Sequence, residues 1–202
     1  QYQDGVLACA PCPAFSNSSD GALFRRACEC WPGYGDPGNL TCVGCAVGFY
    51  KNWYAMEACR VCPPGETTGA QESTACVCRP GFGRDAAETG LCSACAPGTF
   101  KAELGDLSCE PCVLNTFARV AGAASCDACP SGTVTLQTGA AACVCAQGYG
   151  FADGATVCAP CPPGFFKDSA ANVSCVPCPV NTSQPAEGRT QCEPCLANAV
   201  TE

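Results

Sequence analysis

The chain contains no histidine and no isoleucine, and its ten cationic residues include only three lysines, Lys51, Lys101 and Lys167. Each shortage excludes something. Without histidine there is no imidazole base to activate a serine or cysteine nucleophile. Eighteen carboxylates are present, but they are scattered through loops with no large cleft to desolvate a pair, so solvation replaces acid–base catalysis as their reading. Leu, Val and Phe together number 32 of 202 residues, too few large apolar side chains for one conventional core. No apolar run is long enough for a membrane-spanning helix, and no amphipathic helix of useful length can be traced. Aromatic residues fall one or two to a loop, which argues against a stacking platform for nucleic acid or sugar. The net charge of −8 opposes nucleic acid and anionic membranes as partners and reads as solubility. No secretory leader is present, so Gln1 begins either a mature chain or a window cut from a longer one.

What the chain has instead is cysteine. There are 24, nearly 12% of the residues, with 22 glycines and 17 prolines. That density marks a disulfide scaffold, and each disulfide closing a loop of about 15 residues contributes roughly 3 kcal/mol in the chain-entropy model. Covalent links thus replace the missing core and imply an oxidising compartment. Four Asn-x-Ser/Thr sequons, at Asn17, Asn39, Asn172 and Asn181, lie in loops between cysteines where a glycan reaches solvent. Together they describe a secreted or cell-surface glycoprotein that carries N-linked glycans and has no catalytic site.

The cysteines form twelve pairs, nine Cys-x2-Cys and three Cys-x-Cys, separated by loops of 11 to 15 residues. A period this short signals repeats. Type A loops follow a cysteine with x-x-Gly, an aromatic step and Lys: Cys45 to Cys59, Cys95 to Cys109 and Cys161 to Cys175. Their lysines are expected at solvated strand ends. Type B loops are polar and place Gly four residues before the closing cysteine, as in Cys112 to Cys126 (Gly122), Cys129 to Cys143 (Gly139) and Cys178 to Cys192 (Gly188). Cys62 to Cys76 and the longer Cys12 to Cys28 are looser members. Type C loops follow Cys-x-Cys with x-x-Gly-(Tyr/Phe)-Gly: Cys30 to Cys42, Cys78 to Cys92 and Cys145 to Cys158. In type C loops, short strands joined by a Gly-rich turn predict a small hairpin closed by its own disulfide.

Three metal or redox readings give way to disulfides. Paired Cys-x2-Cys resembles a zinc ribbon, but four sequons and the Cys-x-Cys alternates oppose it. A thioredoxin-like role needs one reactive pair opening a helix. Calcium-binding modules need an acidic cluster before the first cysteine, and Cys92 and Cys161 have none. No cofactor is expected.

The phrase Cys-x2-Cys-x2-Gly-x-Phe-Lys, then Cys-x2-Cys, then Cys-x-Cys-x2-Gly-Tyr, read at Cys92 to Cys158, resembles the ephrin-receptor-like cysteine-rich repeat, an EGF-like module found in extracellular mosaic proteins. The resemblance implies a small disulfide-rich fold: tandem EGF-like modules of short β-hairpins and loops forming an extended rod, with almost no helix. It divides the chain into 1–44, the end of a module begun earlier; 45–92, a six-cysteine EGF-like module; 93–158, an eight-cysteine module similar to the laminin variant; and 159–202, the start of a further one. It also implies the interleaved pairs Cys45–Cys62, Cys59–Cys76, Cys95–Cys112, Cys109–Cys126, Cys161–Cys178 and Cys175–Cys192. A simpler ladder would join the two ends of each loop, for example Cys95–Cys109, and spacing alone leaves both open. The two schemes share Cys12–Cys28, Cys30–Cys42, Cys78–Cys92, Cys129–Cys143 and Cys145–Cys158.

Both schemes leave Cys9 and Cys195 without a partner in the chain. Residues 196–202 followed by 1–8 reproduce a type B loop, with Gly5 four residues before Cys9. The expectation is a head-to-tail disulfide, Cys195 of one copy to Cys9 of the next. This makes further copies of the chain its partners, and puts first an extracellular structural glycoprotein, the repeating shaft of a surface filament, appendage or coat. The alternative is the stalk or ligand-binding region of a cell-surface receptor or adhesin.

Overall fold

A computed structural model describes residues 2–3, 9–84, 90–151 and 157–195. Its regular structure is twelve two-stranded antiparallel sheets and one 3-10 turn at Arg25–Ala27, with no α-helix among the described residues. Strands of two or three residues follow from the short, turn-dense loops, which leave no room for longer pairing.

One local plan recurs. The three residues after a loop-opening cysteine, with the next, make a four-residue turn closed by an i to i+3 bond, as in Thr99 N–H to Ala96 O at 2.9 Å and Phe165 N–H to Pro162 O at 3.0 Å. The third residue has positive φ in every described loop, as a type II turn demands. It is Gly in eight loops, Asn at Asn115 and Asn181, and Phe only at Phe15. The strand after the turn then pairs with the two residues that follow the loop-closing cysteine. Thus Thr99–Phe100 meets Glu110–Pro111 in register Thr99↔Pro111, Phe100↔Glu110, and Phe49–Tyr50 meets Arg60–Val61.

That hairpin decides the disulfides. Folding each strand back on the residues that follow the loop-closing cysteine sets the loop-opening cysteine beside the loop-closing one. The bonds are Cys45–Cys59, Cys62–Cys76, Cys95–Cys109, Cys112–Cys126, Cys161–Cys175 and Cys178–Cys192, with Cα atoms 5.6–5.8 Å apart. They replace the interleaved pairs Cys45–Cys62, Cys59–Cys76, Cys95–Cys112, Cys109–Cys126, Cys161–Cys178 and Cys175–Cys192, which would need each opening cysteine to reach past its own hairpin. The other five bonds are Cys12–Cys28, Cys30–Cys42, Cys78–Cys92, Cys129–Cys143 and Cys145–Cys158. Every described loop closes on itself, and the repeating unit is a single loop.

The chain divides into two compact units, 1–94 with 102–108, and 95–101 with 109–202. Apart from Ala118, every buried hydrophobic residue among those described is a cysteine, so the disulfides form the core of each unit. Within a unit, successive loops are stitched by backbone bonds. In the first, Gly33 N–H donates to Lys51 O at 2.7 Å and Glu72 N–H to Cys45 O at 2.8 Å. In the second, Gly122, Gly139 and Gly188 donate to the carbonyls of Cys95, Cys112 and Cys161 at 2.7–2.9 Å. These are the type B glycines four residues before a closing cysteine. Their φ values are 81°, 73° and 68°, which explains the residue choice. Glu72 holds the same place at φ 58°.

Candidate interaction surface

In seven of the described loops, all of type A or B, the sixth residue after the opening cysteine is the interior point of the loop. Lys51, Thr68, Lys101, Ala118, Thr135, Lys167 and Gln184 all occupy it and all are buried. The lysines are therefore not at solvated strand ends, and this expectation is corrected. Lys51 Nζ donates to Trp53 O at 2.8 Å and Cys30 O at 3.1 Å. Lys167 Nζ donates to the carbonyls of Ser169 at 2.7 Å, Ala146 at 3.2 Å and Cys145 at 3.3 Å. Burial pushes both ammonium groups below the usual lysine range; Glu57 and Glu29 offset this at Lys51, and Asp168 at Lys167. A long side chain ending in three donors gathers several carbonyls at once; that of Ala146 also takes the Tyr149 N–H of its turn at 3.1 Å. In type B loops a threonine hydroxyl accepts instead: Gly48 N–H to Thr68 Oγ1 at 3.0 Å, and Asn115 N–H to Thr135 Oγ1 at 2.7 Å.

No catalytic constellation forms among the described residues. Asp106 approaches the sulfurs of Cys78 and Cys92, but these sulfurs are bonded to each other. A lone carboxylate remains, which is not a metal site. Asp106 is instead tied into the structure: Oδ1 accepts the Cys78 N–H at 3.1 Å and the Arg84 guanidinium at 3.0 Å, and Arg84 also approaches Glu66 at 3.5 Å. In the second unit a cleft of about 200 Å³ is lined by Phe151, Pro160, Pro162 and Phe165 and has no ionisable side chain in its wall. Tyr34 titrates above its usual range, first because its hydroxyl donates to Glu72, then through desolvation and the charge of Glu72.

All four sequon asparagines are exposed. Asn17 lies on the strand Ser16–Asn17, paired with Glu29–Cys30. Asn39 Oδ1 accepts the Thr41 hydroxyl. Asn172 Oδ1 accepts the Cys145 N–H at 3.0 Å, the service Asp106 performs for Cys78, and Asn181 fills a positive-φ turn position. Cys195 has a free thiol of intermediate exposure. The side chain of Cys9, with residues 4–8 and 196–202, lies outside the described residues, so the expected Cys195–Cys9 seam falls there too.

The exposed apolar surface is richest in the first unit. Leu23 is 54% and Phe24 70% exposed beside Arg25 and Arg26, with Phe15 at 45%, Trp31 at 43% and Tyr54 at 55%. Phe15 stacks on Tyr34 with centroids 4.3 Å apart and meets Trp31 edge-on at 6.3 Å. Sequence reading missed this cluster because its members belong to different loops, which the hairpins bring together. A surface of this kind can bind a partner.

The family described as tyrosine-protein kinase ephrin type A/B receptor-like matches residues 33–76, 84–123, 107–143, 148–188 and 169–202. These stretches cover more than half of the chain, and the chain belongs to that family. Among curated relatives, ephrin type-B receptor 4a of Danio rerio is 44% identical over 66 residues, 31% of this chain and 7% of that protein. Ephrin type-B receptor 4 of Homo sapiens is 41% identical over 85 residues, 40% of this chain and 9% of that protein. Ephrin type-A receptor 5 of Homo sapiens is 39% identical over 57 residues, 28% of this chain and 5% of that protein. The chain thus spans less than a tenth of the length of these relatives.

Proposed function

We propose that the chain is a non-enzymatic, extracellular stalk segment of a cell-surface receptor-type protein, N-glycosylated at Asn17, Asn39, Asn172 and Asn181. The observation that carries this reading is the five-fold ephrin-receptor-like match along the chain. It favours the receptor stalk over the filament shaft, which the sequence alone put first. The physical design agrees. Loops closed on themselves by eleven disulfides and stitched to their neighbours suit a spacer that holds its form in an oxidising medium with little core. The test uses the full-length protein in its own cells. An antibody to this segment should label intact, unpermeabilised cells, and the protein should stay with membranes through alkaline carbonate and leave them in mild detergent. A polymer that sediments after detergent and falls apart only with reductant would sink the stalk reading.

The filament reading keeps one supporting observation, the free thiol of Cys195. In that reading Cys195 bonds Cys9 of another copy. Peptide mapping without reduction would show the cross-linked peptide if copies join this way, and a capped or free Cys195 if they do not.

A further inference from the structure

We propose that Phe15 and Trp31 form a platform on which the first sugar of an N-linked glycan at Asn17 docks. The inference rests on the glycoprotein reading given above. It begins from an exception. In eleven loops the third residue after the opening cysteine has positive φ, and ten of them use Gly or Asn there. The remaining one is Phe15, at φ 59°. A bulky side chain in left-handed backbone is strained, and the turn itself has no need of it, since glycine makes the same turn in eight loops. Backbone strain kept without a local reason is a pointer to function.

The hairpin shows what the ring is next to. Ser16 pairs with Cys30 and Asn17 with Glu29, and the Trp31 N–H donates to Phe15 O at 2.9 Å. Alternation along a strand puts Glu29 and Trp31 on one face and Cys30 on the other. Cys30 is fully buried while Asn17 and Glu29 are exposed, so the outward face carries Asn17, Glu29 and Trp31. Phe15 joins this face through its edge contact with Trp31. One face of its ring is covered by Tyr34, yet 45% of the residue remains exposed, as does 43% of Trp31. These two aromatics would otherwise be an apolar patch left in water.

The occupant follows from the sequence Phe15-Ser16-Asn17-Ser18-Ser19. The sequon's acceptor lies two residues beyond the aromatic, at most about 7 Å from it along the chain, a gap that the first sugar and its link to the asparagine can span. N-acetylglucosamine presents an apolar face of polarised C–H bonds, and an aromatic ring presents an electron-rich one. Stacking the sugar on Phe15 covers the patch. The other sequons lack the arrangement: the residues two before Asn39, Asn172 and Asn181 are Pro37, Ala170 and Pro179. They are internal controls in the same molecule.

The test compares glycoforms of the protein secreted from a glycosylating host. Peptide mapping establishes occupancy, and the N-acetyl methyl signals of the proximal sugars are followed by NMR. Ring currents should displace the Asn17 N-acetyl signal upfield from the other three, and Phe15→Gly should bring it back among them. Ser19→Ala, which removes the glycan and leaves Asn17 in place, should lower the melting temperature of the parent but not of the Phe15→Gly protein. Phe15→Leu, which keeps an apolar side chain without a ring, serves as a second variant and should also abolish the displacement. An occupied Asn17 whose signal ignores both variants would overturn the platform. Asn17 bare while the other three are occupied would overturn it too and leave the glycoprotein reading standing. Bare asparagines at all four sites would sink both.

Discussion

The ammonium of Lys51 lies 3.1 Å from the carbonyl oxygen of Cys30, twenty-one residues earlier, and Lys167 repeats the relationship with Cys145 at 3.3 Å. Each lysine fastens its own loop to the loop before it through this carbonyl. Removing the donors leaves buried acceptors unsatisfied, at a cost of roughly 1–3 kcal/mol for each. Lys51→Met should therefore fold with all its disulfides and melt at a clearly lower temperature. An exposed arginine such as Arg26, changed in the same way, should alter stability by less than about 0.5 kcal/mol. Equal melting of Lys51→Met and the parent would show that the carbonyls find water instead.

The same burial sets a pH dependence. In the folded chain both Lys51 and Lys167 titrate below their ordinary value of 10.5. Between the depressed folded value and the unfolded one, the unfolded chain holds more protons, so stability from these groups rises with pH across that alkaline window. The neutral amine still donates to its carbonyls, so the contacts survive deprotonation. Denaturant unfolding of thiol-blocked protein should show a more favourable alkaline slope for the parent than for the Lys51→Met, Lys167→Met double variant. Indistinguishable slopes would remove the desolvation argument.

Lys51, Lys101 and Lys167 are the chain's only lysines, at 0%, 5% and 2% exposure. Brief treatment of the folded protein with an amine-reactive ester should leave all three unmodified, while the reduced and denatured chain should be labelled on all three lysine side chains. Any lysine labelled at the rate of a free amine in the folded state would contradict its burial.

Much of the design is legible in the sequence. The oxidising scaffold, the hairpins, the turn glycines and the lack of α-helix among the described residues follow from cysteine spacing and from x-x-Gly. The connectivity does not. Whether Cys45 meets Cys59 or Cys62 depends on which residues the strand after Gly48 pairs with, and two-residue strands such as Phe49–Tyr50 carry too little pattern to say. The buried lysines were misread for a related reason. Lys51 follows an aromatic strand and, within type A loops alone, resembles a polar strand end. When type A and type B loops are aligned together by their opening cysteines, Lys51 falls in one column with Ser18, Thr68, Ala118, Thr135 and Gln184, and small or amide side chains there mark an interior site. Phe15 shows its oddity in the same alignment, as the one bulky residue in a column of Gly and Asn.

The reach of the stitching beyond adjacent loops can be isolated with two glycines of the second unit. Gly98 and Gly164 hold the same turn position, at φ 88° and 80°. A Cβ on Gly164 meets nothing within 4 Å, whereas on Gly98 it runs into the carbonyl of Gly139, which belongs to the loop after next. Both alanine variants bear the strain of left-handed backbone, about 1–2 kcal/mol. Only Gly98→Ala must also push one loop away from another, against backbone rather than a yielding side chain. Gly98→Ala should therefore destabilise by at least about 1 kcal/mol more than Gly164→Ala, in the range of overpacking penalties, with hydrogen exchange at the Gly139 amide faster in the first variant alone. Equal losses would mean that each loop is held by its immediate neighbour and that the contact between Gly98 and Gly139 carries no stability.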